Sequence, residues 1–154
     1  MQPTTQITSS PFANHKRFAY RMESYAIEDE KIIVVVHSGN LSRDADDTVI
    51  EMVVNAVNTY PDPNVAYVLV DITLMSGVTP HLRQGALGMT NNFDPNRQIY
   101  IAVFGSSNSI MNMLVHRIIN QMVRFVDKRV HITLLNKRDD AIKWLLQKSK
   151  INQV

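Results

Sequence analysis

His37, Asp71 and His81 are the side chains in this sequence whose types could together move a proton or hold a cation. His37 follows the run IIVVV, Asp71 follows VAYVLV, and His81 comes two residues after Thr79 in a Thr-Pro-His sequence. Gly105 and Asn136 close two further apolar runs. If those runs are parallel strands, His37, Asp71, Gly105 and Asn136 share one edge of the sheet, the edge where open α/β sheets bind ligands. His81 could reach it from the following helix. The spacing of His37, Asp71 and His81 fits no metal motif, and a histidine ending a strand is ordinarily held by hydrogen bonds. No catalytic residue, metal or cofactor is therefore expected.

Gly105, Ser106, Ser107 and Asn108 are the better ligand candidates. A glycine, two hydroxyls and backbone N–H groups ahead of a helix suit an anion. The lysine and glycine spacing of a phosphate-binding P-loop is missing, and Ser107 or Asn108 serves equally as a helix cap. The expected anion or ligand set is thus Gly105, Ser106, Ser107 and Asn108 with His37 and Asp71. The acidic run Asp44–Asp47 lacks the glycine and the final glutamate of a calcium loop. It reads as negative charge offsetting the positive end of a helix dipole.

These residues need a scaffold, and the hydrophobic pattern supplies one. Residues 17–27 alternate Phe18, Tyr20 and Met22 with Arg21 and Glu23, as in a strand with one wet face. Residues 32–37, 65–72 and 98–104 are β-branched or aromatic runs of the kind buried on both faces of a sheet, and residues 130–135 form the last strand. Between them the period changes to that of helices. Ser42 or Asp44 can cap the first helix. Thr79 caps the second, with Pro80 at its first position. Gly85 and Gly88 weaken that second helix by about 1 kcal/mol each against alanine, so something packs closely there or the helix is loose. Asn136 is expected to cap the last helix, with Asp139 three residues on. The predicted order is β-β-α-β-α-β-α-β-α, a mostly parallel five-stranded sheet with helices packed against it.

The third helix, over residues 108–126, has apolar residues spread over about 220° of arc, where covering a sheet needs only about 100°. Ile110, Leu114, Ile118, Met122 and Phe125 are expected to face the sheet. Met111, Val115, Ile119, Val123 and Val126 are then left for neighbouring helices, for an apolar ligand or for a partner. Methionine suits a contact that must adapt.

The 154 residues suit a single domain, over residues 17–150, behind a polar arm at 1–16. The absence of cysteine excludes disulfides and thiolate chemistry and fits a reducing, cytoplasmic compartment. No apolar run approaches the length of a transmembrane segment, and the first residues lack a signal-peptide core. Net charge is +2, unevenly placed: 6 Lys/Arg against 11 Asp/Glu through Asn96, then 10 against 3. The basic part is not interleaved with aromatic platforms, so no nucleic-acid partner is expected.

The element order, the strand ending in VDIT, the Thr-Pro helix start, IAVFGSSN and the ending VHITLLNKRDDAIKWLL together resemble the STAS domains, the anti-sigma-factor antagonist or SpoIIAA-like fold that shades into the STAS/SEC14 group. The likeness spans residues 18–147. It implies a non-catalytic regulatory domain acting through protein contacts, self-associating as a homodimer or meeting a regulatory protein partner. The alternative it leaves is a small-ligand carrier for a nucleotide, anion or lipid. In phospho-regulated relatives a Ser or Thr opening the helix after this strand is the switch. Here the region reads GVTPHLRQ, the usual Ser pair is absent, and Thr79 alone could take a phosphate.

Overall fold

The computed structural model describes residues 22–105, 109–126 and 128–152. Ten elements follow in the order β1 (Glu23–Ile27), β2 (Ile32–Val36), α1 (Arg43–Asn58), β3 (Val65–Asp71), α2 (Pro80–Met89), a 3-10 turn (Thr90–Asn92), β4 (Gln98–Phe104), α3 (Ser109–Phe125), β5 (Val130–Leu135) and α4 (Arg138–Asn152). The expected order of strands and helices is the observed one. The arm at 1–16 and the first residues expected in a strand, 17–21, lie outside the described residues.

The five strands form one sheet in chain order. β1 and β2 are an antiparallel hairpin, and every later neighbour is parallel. The sheet is therefore mixed, with a single antiparallel pair. β2, β3 and β4 are buried nearly throughout, as their unbroken apolar runs require. The hairpin turn is unusual. Glu28, Asp29 and Glu30 all have positive φ, at 52°, 53° and 65°, which costs an L-residue about 1–2 kcal/mol each. Lys31 N–H closes the turn on the Glu28 carbonyl at 3.1 Å.

Alternate residues of β4 face opposite layers. Ile101 and Val103 look toward α1, α2 and α3. Tyr100 looks toward α4, where it lies flat between Tyr67 of β3 and His131 of β5 and meets Trp144 edge-on. Three helices thus cover one face and α4 covers the other. The strand ends opposite the candidate site are clasped by arginines. Arg97 donates to the carbonyls of Tyr60 (2.8 Å) and Asp62 (2.9 Å), and Arg129 donates to that of Asp94 (2.8 Å).

Two local readings of the sequence are corrected. α4 begins at Arg138, with Ala141 N–H bonded to the Lys137 carbonyl, so Lys137 and not Asn136 stands at the capping position. The face of α3 is also rotated from the expected one. Met111, Val115, Ile118, Ile119 and Met122 are buried, whereas Ile110, Met113, Leu114 and Val123 are 65%, 49%, 36% and 49% exposed. Met111, Val115 and Ile119, expected as interface residues, belong to the core, and Val126 is half-buried against it. Val123 alone of that expected set is outward. The Phe125 side chain lies outside the described residues.

Candidate functional site

The parallel strands bring His37, Asp71, Gly105 and Asn136 to one edge. The backbone ladder runs one residue past the strands: His37 N–H bonds the Asp71 carbonyl (2.9 Å), Ile72 N–H that of Phe104 (3.2 Å) and Gly105 N–H that of Leu135 (3.2 Å). The side chains then part company. Asp71 Oδ1 accepts from the backbone N–H (2.9 Å) and hydroxyl (2.6 Å) of Thr73, a local turn. His81 Nε2 meets Asp47 Oδ1 at 2.6 Å at the surface. The triad His37, Asp71 and His81 does not assemble. Among the described residues no group of three or more His, Asp or Glu side chains is placed to hold a metal.

His37 has a different partner set. Its Nδ1 accepts from Gly39 N–H at 2.8 Å, which leaves the proton of the neutral ring on Nε2. Gly39 sits at φ +91°, and a Cβ there would lie 2.3 Å from the Leu74 carbonyl oxygen, so no other residue fits. His37 and Asp46 are each 1% exposed. Burial lowers the His37 pKa, and the Asp46 carboxylate opposes that shift. Asp46 Oδ2 accepts from the Thr79 hydroxyl at 2.5 Å, and Thr79 Oγ1 in turn accepts from Leu82 N–H at 3.0 Å, capping α2. His37 Nε2 and Asp46 Oδ1 have no hydrogen-bond partner. The cluster ties the end of β2, the first turn of α1 and the start of α2 together. A phosphate on Thr79 would break its bond to Asp46 and press like charges together, so the capping role opposes the switch role.

Gly105 is buried at the end of β4, and a Cβ there would fall 2.0 Å from Asn112 Oδ1 of α3. The glycine makes room for that amide. Ser106, Ser107 and Asn108, the rest of the expected anion loop, lie outside the described residues.

Beside His37 lies a cavity of about 110 Å³. Its floor is Val70, Ile101, Val103 and Ile132, its walls are α1 and α3, and its roof is Leu82, Ala86 and Met89 of α2. No polar atom contributes accessible wall. The space follows from the path of α2, which packs chiefly on α1 and α3. Its middle inward position is only an alanine, and Gly85 lets Ile50 of α1 approach to 3.3 Å of where a Cβ would stand. The space is partly open, so the 2–3 kcal/mol that about 24 cal/mol per Å³ gives for a sealed void of this size is an upper limit to its cost in stability.

Sequence reasoning missed Asp46, because its neighbours Asp44 and Asp47 are exposed and the three read as one charged turn. Its position three residues before Val49, at helical spacing on the buried face, was the available signal. Comparison with protein-family models, with curated proteins and with solved structures found no match in any of the three.

Proposed function

We propose that this chain is a non-catalytic interaction domain of STAS type that works as a symmetric pair of copies joined through the α1–α2–α3 face. The observation that carries this reading is the charge pattern of that face. α2 lies between α1 and α3. On one side of it α1 exposes Asp44, Asp47 and Glu51 against a single exposed Arg43; on the other, α3 exposes Arg117 and Arg124 and has no acidic residue. A two-fold axis through α2 sets the acidic side of one copy against the basic side of the other, so the face is complementary to itself. Ile110, Met113 and Leu114 add apolar area at the N-terminal end of α3.

The non-catalytic part rests on burial. His37 and Asp46, the pair best suited to exchange a proton, are closed off from water. The STAS-type part rests on the element order and the resemblance of its motifs. Sedimentation equilibrium across micromolar concentrations tests the pairing. A dimer that weakens as salt rises is expected; a monomer throughout overturns it.

A further inference from the structure

We infer that the cavity beneath α2 is a binding site for a compact hydrocarbon group, a six-carbon ring or branched alkyl end, and not for an anion or nucleotide. Three observations carry this. The wall has no accessible polar atom, so a charged or hydrogen-bonding ligand would enter without a partner. The volume, about 110 Å³, is a little below that of the ~150 Å³ apolar cavity known to admit benzene. The roof is built to yield: α2 is a ten-residue helix with Gly85 and Gly88, resting on other helices, and Met75, Met89 and Met122 line the space. Methionine side chains reshape around a guest at little cost. The space is partly open, and the small side chain of Ala86 in its roof leaves room for a guest.

The site is independent of the pairing of copies, and a monomeric chain would leave it intact. The test is thermal melting of the full chain with benzene, with pyridine as the polar ring of the same shape, and with 4-phenylbutyrate, which carries the ring on a carboxylate chain. Benzene at a hundredfold excess over its Kd is expected to raise the Tm by about 5 °C or more. Pyridine is expected to bind at least tenfold more weakly, because the one unpartnered donor in the lining, His37 Nε2–H, has no accessible surface with which to meet its nitrogen. A matching shift with 4-phenylbutyrate assigns the site to the end of an amphiphile, and a shift with benzene alone assigns it to a free small hydrocarbon. Ala86→Leu, which fills the space, is expected to abolish the benzene response. If that variant misfolds, amide shifts in the wild-type chain serve instead and are expected at Ala86, Val103 and Val115. No Tm change with benzene, equal binding of pyridine, an undiminished response in Ala86→Leu, or amide shifts elsewhere would each overturn the inference.

Discussion

Filling the space beneath α2 is expected to stabilise the protein. Ala86 lies on the inward face of α2 between Leu82 and Met89, and all three line the cavity. Replacing it by leucine adds three carbons. At about 0.8 kcal/mol per buried CH₂ the gain is at most ~2.4 kcal/mol, within the upper limit of about 2–3 kcal/mol set by the volume to be filled. Imperfect fit takes back about 1–2 kcal/mol of this, the lower part of the overpacking range, because the side chain enters a space that is already open. Leucine and alanine are both good helix formers, so α2 itself is little affected. The expected net gain is about 0.5–1.5 kcal/mol, or roughly 1–6 °C in Tm for a chain of this size. Urea unfolding followed by circular dichroism measures it as a higher midpoint at unchanged slope. A loss of 1 kcal/mol or more would refute the reasoning, for it would mean that α2 already lies as close to the strands as side chains allow.

Further perturbations test other parts of the structure. Gly39→Ala is expected to cost about 2–4 kcal/mol, since a Cβ would collide with the Leu74 carbonyl and the backbone is left-handed there; a midpoint within 0.5 kcal/mol of wild type would contradict the geometry. Asp29→Gly, in a turn of three consecutive left-handed residues, is expected to stabilise by about 1 kcal/mol, and a destabilised variant counts against the strain. The pH dependence follows from His37, whose folded pKa lies below the ordinary 6.5 because it is buried. Between the folded value and 6.5 the unfolded chain binds the extra proton, so stability is full above 6.5 and falls as pH drops through that window. His131, stacked on Tyr100 and lowered first by burial and then by Lys148, acts in the same direction. Unfolding midpoints at pH 7.5 and 5.5 are expected to converge in a His37→Phe, His131→Phe double variant, and an unchanged slope with pH would contradict both assignments.

Much of the scaffold was legible because it depends on local pattern. The β-branched runs that became β2, β3 and β4 admit little else at that length, and Thr79-Pro80 marks a helix start by its own chemistry. The common edge of His37, Asp71, Gly105 and Asn136 followed from parallel strands alone. What the edge does was not legible, because side-chain partners come from distant segments. The His37 ring feels the Asp46 carboxylate while that of Asp71 turns back on Thr73, and Asp46 is covered by Thr79, 33 positions later. Nor could periodicity orient α3. With apolar residues on more than half its circumference, Ile110 and Leu114 compete with Met111 and Val115 for the sheet, and the docking of α2 beside it decides. The cavity had one faint trace, the small residues at 85, 86 and 88.

The central claim, that the α1–α2–α3 face pairs with itself by opposed charge, is tested most directly by mixing two charge-reversed variants. Arg117→Glu with Arg124→Glu makes both sides of the face acidic; Asp44→Lys with Glu51→Lys makes both basic. Sedimentation equilibrium is expected to find each variant monomeric alone and the equimolar mixture dimeric. Variants that dimerise alone as the wild type does, or a mixture that stays monomeric, would contradict it.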